Sequence, residues 1–513
     1  MAEQEVARLA DLPEGGMRAV EAGGQKIVLV RWQGEVHALQ GECPHAGAPL
    51  AEGAVCNGHL VCPWHMGTFR IADGGLVEPP PMQALRRYPV RVDGDAVLVD
   101  LEPLPAAPAA VWRPDDARVM LLLGSGAAAA MAAVTLREAG FGGRVVMVGP
   151  AAEEPIDRTL LSKMALAGQW KLEDLPLWDA DAVARLGVER IVGAVAAMEA
   201  GSGRVRLSDG QAIEYDAALI ATGAEPRRLD VPGADLPGVF TLRRRDDLAA
   251  ILAAAEQGGP AVVLGTSFIG MEAASALRQR GIEVAVAGPE TAPFARPFGP
   301  AVSDALVGLH RSNGVALHLG RQAARLEGGD AVEAVVLDDG TRLPARLVLV
   351  GIGVRPVTGF LRGVELQDDG GVVVDAQLSV APGVFAAGDV AAFPYRGGRA
   401  RIEHWRLAQQ HGRVAARNML GQGEAFDRVP FFWTEQHGKV LNYLGHTATW
   451  DEIVVDGDVA AFEFVSYYVK SGRVAAVLSC GRDGATALLA ELMRREIGVA
   501  EARDAVRRLA GRG

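Results

Sequence analysis

Four residues near the N-terminus carry the strongest chemical signal in the chain. Cys43 and His45, then Cys62 and His65, lie in the segments C-P-H and C-P-W-H, with sixteen residues between them. Each segment offers one thiolate and one imidazole. That mixed set is the one that holds a [2Fe–2S] centre of the Rieske type, with two cysteines on one iron and two histidines on the other. Neutral imidazoles leave such a cluster less negative than four thiolates would, so it accepts an electron more readily. Zinc held by two cysteines and two histidines is the competing metal reading, although zinc fingers usually pair Cys with Cys and His with His. Four unrelated residues is the third reading. Gly47, Pro49, Gly53, Gly58 and Gly67 make tight loops around the ligands, and Pro79-Pro80-Pro81 braces them from a third side.

A second kind of chemistry occurs twice further on. The apolar run Arg118–Leu123 leads into Gly124-Ser125-Gly126-Ala127-Ala128-Ala129, a helix pattern through Arg137 and a strand at Arg144–Val148. Later, Ala261–Leu264 leads into Gly265-Thr266-Ser267-Phe268-Ile269-Gly270, a helix to Arg280 and a strand at Glu283–Ala287. Strand, glycine turn, helix, strand is the setting in which G-x-G-x-x-G reads as a dinucleotide site. A pyrophosphate needs backbone N–H groups at a helix N-terminus with no side chain in the way. Gly124 and Gly126 meet that need, and Ala129 lets helix pack on strand. Gly265 and Gly270 fit as well, with the small Ser267 in place of the middle glycine. Glycine turns that bind nothing are the alternative. Three further segments fall at sensible distances. Asp157-Arg158-Thr159-Leu160-Leu161-Ser162-Lys163 brings two cations past the second strand. Ala221-Thr222-Gly223-Ala224 follows the apolar run Ala217–Ile220, and Gly388-Asp389 follows another strand, where Asp389 can accept from a ribityl hydroxyl.

These residues need elements to position them. At 513 residues the chain should hold about three to four domains. Residues 1–100 read as short strands with glycine turns: Lys26–Arg31, Glu35–Leu39, Leu60–Pro63, Thr68–Ile71 and Ala96–Val99. The stretch 101–116 is rich in Pro and Ala and reads as an extended linker, able to reach roughly 40–50 Å at about 3.1 Å per residue. Residues 455–485 look like strands and 484–510 carry a helical pattern. A net charge of −12 and the lack of a basic face argue against nucleic acid. No long uncharged apolar run suggests a membrane span, and residues 1–20 show no apolar signal segment, so a cytoplasmic protein is expected. The four cysteines make no disulfide scaffold. Cys56 and Cys480 read as idle or buried thiols, and no C-x-x-C occurs, which argues against a dithiol relay.

The stretch from about 117 to 425 resembles the FAD-dependent pyridine-nucleotide reductases of the glutathione-reductase fold. The segments D-R-T-L-L-S-K, A-T-G-A-E-P-R, G-T-S-F-I-G-M-E and F-A-A-G-D-V carry that likeness. R-I-E-H-W-R-L-A-Q-Q-H-G-R (401–413) and V-P-F-F-W-T-E-Q-H-G (429–438) follow. With these and the Cys/His segments in front, the whole chain resembles the apoptosis-inducing-factor-like oxidoreductases that carry an N-terminal Rieske domain. Their relatives are the ferredoxin reductases that serve oxygenases and cytochromes P450. The resemblance implies an all-β Rieske domain at 1–104, a linker at 105–116 and a Rossmann-like α/β reductase with two dinucleotide-binding units. Within the reductase, FAD-binding segments fall at 117–240 and 358–425, around an NAD-binding domain at 241–357. A C-terminal α+β domain at 426–513 completes the chain.

The resemblance also implies roles. Gly124 and Gly126 sit on the FAD pyrophosphate, Arg158 and Lys163 flank the flavin, and Asp389, with Gly388 before it, holds the ribityl chain beside Thr222 and Gly223. Lys163 and Glu272 form the pair near flavin N5 and the nicotinamide. Gly265, Ser267, Gly270 and Glu272 belong to the nicotinamide-nucleotide site, with Gly353 close by. Trp405 and Trp433 reach the isoalloxazine, with core packing as the competing reading. The chain departs from the family at several places: Ala151 stands where a ribose-binding acid is expected, Val134 where Glu is usual, Ile156 where Tyr is usual, and Met66 where Gly is common. In the second unit the acid position falls near Gly288, with no acid and no Arg counted there, so NADH is favoured over NADPH. The expected activity passes electrons from NADH to FAD to the Rieske centre and on to an external one-electron acceptor. That acceptor would be an oxygenase, a cytochrome P450 or a ferredoxin-type partner, and the protein a monomer or homodimer. A slow NADH-binding redox sensor is the alternative. A peroxide or disulfide reductase would need a cysteine by the flavin, and neither spare cysteine lies in those segments.

Overall fold

Glycine and asparagine turns cut the N-terminal region into short strands. The computed structural model describes residues 3–105, 115–150 and 154–510, so most of the expected linker, residues 106–114, lies outside the described residues. Gln33-Gly34 and Asn57-Gly58 take positive φ at both positions (54° and 83°, 52° and 76°), the geometry that closes a two-residue hairpin in register with strand twist. Strand Gln25–Trp32 is central to a four-stranded antiparallel sheet with Met17–Ala22, Glu35–Gln40 and Arg87–Tyr88. Its residues alternate between two cores. Val28 and Val30 face Leu50, Leu60, Phe69 and the cysteines Cys43 and Cys62, while Ile27 and Leu29 face Tyr88, Val97 and Val99. A second four-stranded sheet, Ala54–Cys56, His59–Val61, Thr68–Arg70 and Leu76–Glu78, carries the second ligand loop between its middle strands.

The two glycine turns each open a parallel sheet. In the first, strands run in the order Val188–Val192, Arg144–Gly149, Val119–Leu123, Ala217–Ile220, Val384–Ala386, Ser379–Ala381, parallel except for the last. The second is five-stranded and parallel, in the order Val239–Phe240, Leu347–Val350, Ala261–Leu264, Val284–Gly288, Val315–Leu319. Its three central strands are apolar throughout, as strands covered on both faces must be. Because Val384–Ala386 returns to the first sheet, the second unit is an insertion within the first. Helix Trp405–Met419 packs on helix Ala127–Glu138. The small residues Ala127 to Ala130 and Gly412 permit that approach, since a Cβ on Gly412 would lie 2.1 Å from the Ala128 carbonyl oxygen.

The C-terminal region is a five-stranded antiparallel sheet, Phe431–Gln436, Lys439–Gly445, Arg473–Cys480, Glu463–Lys470 and Glu452–Asp458, followed by helices Asp483–Leu492 and Val499–Ala510. It shares a hydrophobic core with the N-terminal domain: Ala54, Val61 and Met66 pack with Phe431, Leu444 and Tyr467. Polar contacts extend this junction along helix Trp405–Met419. Arg406 donates to the carbonyls of Pro79 and Met66 at 2.8 Å each, Arg413 to that of Leu76 at 3.0 Å, and Gln410 to buried Glu78 at 2.7 Å. Glu78 also pairs with Arg428 at 2.5 Å. Among the described residues no helix is long and apolar enough to cross a membrane.

Candidate functional site

The four N-terminal candidates meet at one place, in two pairs. Cys43 and Cys62 are buried, and their thiols share a hydrogen bond. That bond and burial push the Cys43 thiol up, and the same bond draws the Cys62 thiol down against burial. Backbone N–H groups of His45 and Ala46 face the first sulfur, and those of Trp64 and His65 face the second. On the other side, Nδ1 of His45 and Nδ1 of His65 are 3.1 Å apart. Burial first, then neighbouring positive charge such as Lys163, holds His65 well below the ordinary imidazole range, in the neutral form a metal requires. Sulfur paired with sulfur and nitrogen with nitrogen suits a binuclear cluster. A single zinc ion would need all four donors at one point. The residues fit a [2Fe–2S] centre.

A cleft of about 1300 Å³ opens beside this pair of histidines. Gly124, Gly126, Arg158, Lys163, Thr222, Gly223, Ser267, Glu272, Gly353, Gly388, Asp389, Trp405 and Trp433 all line it. Ala129, Gly265 and Gly270 do not; they work behind the lining. Ala129 is fully buried in the first helix. Gly265 has φ 113°, and a Cβ on it would sit 2.3 Å from the Gly351 oxygen; a Cβ on Gly270 would sit 2.3 Å from the Gly265 oxygen. Gly124 is held likewise, at φ 124° and 2.1 Å from the Ala221 oxygen. Ser267 does more than replace a glycine: its hydroxyl caps the helix by accepting from Gly270 N at 3.2 Å and donates to the Gly351 oxygen at 2.8 Å.

Charge is distributed unevenly along the cleft. The Arg158 guanidinium lies over Gly126. Burial first, then Arg243, pushes it down to about 10, which leaves it cationic and available to a pyrophosphate. Asp389 pairs with Arg243 at 3.1 Å. Lys163 and Glu272, 109 residues apart in sequence, meet at 2.9 Å, and Glu272 also accepts from Ser162 at 2.6 Å and Thr434 at 2.7 Å. Buried atoms without a protein partner point to a missing ligand: His404 Nδ1 and Trp405 Nε1, both on cleft-lining residues. Burial, then His446, pushes His404 down to about 3, so it is neutral.

Cleft and metal pair are joined directly. The Trp433 ring lies 4.2 Å from the His65 ring, centroid to centroid, and Lys163 Nζ stands 5.9 Å from the Trp433 centroid. His45 Nε2 faces Asp157 at 3.5 Å, one residue before Arg158. Burial works to raise the Asp157 carboxyl, but the bonds from His45 and Thr159 outweigh it and hold it low. Sequence reasoning passed over Asp157. Its position at the head of D-R-T-L-L-S-K shows only that it lies near the flavin segment, and no local pattern points it at residue 45.

The second unit also holds a residue the count missed. Glu290, two residues beyond Gly288, accepts from Thr266 Oγ1 at 2.5 Å. Gly288 itself has no room for a side chain, since a Cβ there would lie 2.9 to 3.1 Å from Thr266. The first unit repeats this arrangement, with Ser125 Oγ 2.7 Å from where a Gly149 Cβ would be. Laying V-V-M-V-G-P-A (145–151) on V-A-V-A-G-P-E (284–290) would have found Glu290. It puts Glu290 at the place where the first unit has Ala151. Ala151 lies outside the described residues, and Glu154, three residues further on, pairs with Arg190 at 2.9 Å.

Two nucleotide units around one cleft, with paired cysteines and paired histidines docked against it, define a flavin-dependent nicotinamide oxidoreductase with its own iron–sulfur domain. The chain belongs to the pyridine nucleotide-disulphide oxidoreductase family, which it matches over residues 119–412; residues 2–89 match the Rieske [2Fe-2S] domain and 431–509 the reductase C-terminal domain. It is 35% identical to mouse (Mus musculus) apoptosis-inducing factor 3, over 96% of this chain and 84% of the relative. It is 36% identical to the biphenyl dioxygenase system ferredoxin–NAD(+) reductase component of Paraburkholderia xenovorans, over 66% of this chain and 83% of the relative. Among solved structures, the covalent putidaredoxin reductase–putidaredoxin complex superposes with a TM-score of 0.71 at 29% identity, over 75% of this chain and 95% of that one. The protein is therefore an FAD-dependent NAD(P)H oxidoreductase of the ferredoxin-reductase type whose cofactors are FAD, NAD(H), with NADH favoured, and a [2Fe–2S] cluster. The family's disulphide chemistry has no counterpart in the cleft, which neither Cys56 nor Cys480 lines.

Proposed function

We propose that this chain moves electrons from NADH to its own [2Fe–2S] centre and from there to an external one-electron acceptor protein of the ferredoxin, cytochrome P450 or oxygenase type. FAD supplies the chemistry that joins the two ends, taking up a hydride and releasing electrons singly. The chain's residues organise that exchange. Arg158 and the Gly124–Gly126 turn bind the pyrophosphate, Asp389 the ribityl chain. Lys163, oriented by Glu272, places a positive charge where negative charge develops, and the buried cleft keeps that charge effective. The observation that carries the reading is the contact of Trp433 with His65, 4.2 Å between ring centroids, on a residue that also lines the cleft. One aromatic ring thus touches both the cleft and His65, which supports a route between them. The test is Cys62→Ala. The Rieske EPR signal should vanish while NADH-to-dye activity persists, because that route needs only the cleft. A wild-type protein that reduces dyes with NADH but never its own cluster would overturn the reading.

A further inference from the structure

Behind Glu272 lies a set of buried polar groups that the reading above leaves unused. Glu272 Oε2 faces Lys163 and Ser162; Oε1 accepts from Thr434 Oγ1 at 2.7 Å. Thr434 Oγ1 in turn accepts from Gln436 Nε2 at 3.2 Å. Gln436 Oε1 faces His310 Nε2 at 2.8 Å, and His310 Nδ1 faces His437 Nε2 at 3.1 Å. Thr434, Gln436 and His310 are each 0% exposed, and His437 is half-buried at the outer end.

Chemistry fixes the direction of every link. A carboxylate only accepts, so the Thr434 hydroxyl donates to Glu272. Its oxygen is then free to accept, so the Gln436 amide nitrogen donates to it. That turns the Gln436 carbonyl toward His310, which must donate from Nε2. A neutral His310 has only Nδ1 left as an acceptor, and it takes the proton of His437 Nε2. Burial holds His310 below the ordinary imidazole value. His437 is held at about 4 by burial, His310 and Arg278. Both rings are therefore neutral at neutral pH, as this tautomer pattern requires. Four donors point head to tail and end on the carboxylate. Aligned chains of this kind polarise one another and stiffen. Apolar residues of the same shape would fill these buried positions at little or no loss of stability, so packing alone does not call for them.

We propose that Thr434, Gln436, His310 and His437 form a positioning relay for Glu272, holding its carboxylate against Lys163 while hydride is transferred. The proposal rests on the reading that the Lys163–Glu272 pair serves hydride transfer. It is tested by stopped-flow reduction of the fully loaded protein with NADH. Gln436→Leu and His310→Leu should each lower the limiting rate of flavin bleaching by about five- to tenfold, with the NADH dissociation constant within about twofold of wild type. His310→Gln, which offers a donor and an acceptor, should recover most of the rate. In a Glu272→Gln background the same replacements should add nothing, because the relay acts only through that carboxylate. A second measurement does not depend on turnover. In protein labelled with nitrogen-15 histidine, the His310 Nε2 proton resonance should shift on Glu272→Gln, even if a leucine variant fails to fold. Wild-type limiting rates in well-folded Gln436→Leu, additive losses in the Glu272→Gln background, or an unmoved His310 resonance would each overturn the relay. A wild-type rate in Glu272→Gln itself would instead overturn the hydride-site reading.

Discussion

Lys163→Met leaves the Glu272 carboxylate buried without its cation. The two side chains are 10% and 4% exposed and 2.9 Å apart. Removing one partner of a buried pair costs about 3–5 kcal/mol, because the other charge is left uncompensated. Here Ser162 and Thr434 still donate to the carboxylate, so the lower end, about 3 kcal/mol, is expected. Lys163→Met/Glu272→Gln removes both charges and should return to within about 1 kcal/mol of wild type, since a buried pair is often replaced by neutral groups without loss. The rate should not return with it. Loss of one preorganised electrostatic group slows a reaction about 10²- to 10³-fold, so single and double variants should both bleach flavin roughly a hundredfold more slowly with NADH. Denaturant midpoints and stopped-flow traces on the same samples separate the two effects. A double variant that regains rate along with stability would show that the pair is only a structural ion pair. Unaltered stability in Lys163→Met would refute the burial argument itself.

Glu290→Arg removes the carboxylate next to Thr266 and supplies a cation. NADH should bind about tenfold more weakly and NADPH more tightly, as one hydrogen bond to a charged group is worth about 1.5–3 kcal/mol, read by fluorescence titration of the two nucleotides. Met66 sits at φ 59° yet is fully buried in the core shared by the N- and C-terminal domains. Met66→Gly relieves about 1 kcal/mol of left-handed strain but opens a cavity of the kind that costs about 2–5 kcal/mol, so net destabilisation of about 2 kcal/mol should appear as a lower denaturant midpoint. His404 and His411 are pushed down to about 3 by burial, so both are neutral in the fold. As pH falls below about 6.5, the unfolded chain binds protons the fold refuses, and stability drops by up to about 1.4 kcal/mol per unit for each ring until about pH 3. His411 Nδ1 accepts from Gly388 N at 3.3 Å, so His411→Gln keeps an acceptor there and should lower the acid slope by that one ring's share, up to about 1.4 kcal/mol per pH unit, in stabilities measured between pH 5 and 7.

Local patterns of the sequence reach as far as local causes do. Ala261–Leu264 and Ala217–Ile220 are strands with the bounds their apolar runs suggest, because a strand buried on both faces has no alternative reading once glycine follows it. Strand Phe431–Gln436 was legible only as a family segment, and Lys439–Gly445 not at all; the Trp, Thr and Gln of the first follow from contacts with residues far away in the chain, such as His65 and Glu272. The Lys163–Glu272 meeting was legible through the resemblance alone, since nothing in either segment specifies the other. His65 against Trp433 and His45 against Asp157 were not legible at all. Each depends on how one domain sits on another, and that is decided by scattered side chains such as Arg406, Glu78 and Arg428. Glu290 was missed for a different reason: the count stopped at the strand end, while the helix-side Thr266 fills the space a carboxylate at Gly288 would need.

The junction of Glu78 with Arg428 and Gln410, and of Arg406 with Pro79 and Met66, has a kinetic consequence. A separate ferredoxin must find its reductase by diffusion, at a rate that rises with concentration and, where opposite charges steer it, falls with added salt. Here the N-terminal domain is already seated against the reductase, on contacts that are buried and therefore little screened. On the proposed electron path, delivery into the cluster would be a first-order event, the same at nanomolar as at micromolar protein. On that path only departure to an outside acceptor would keep a concentration dependence. Dilution and ionic strength should therefore act on the second half of the electron's journey and leave the first untouched.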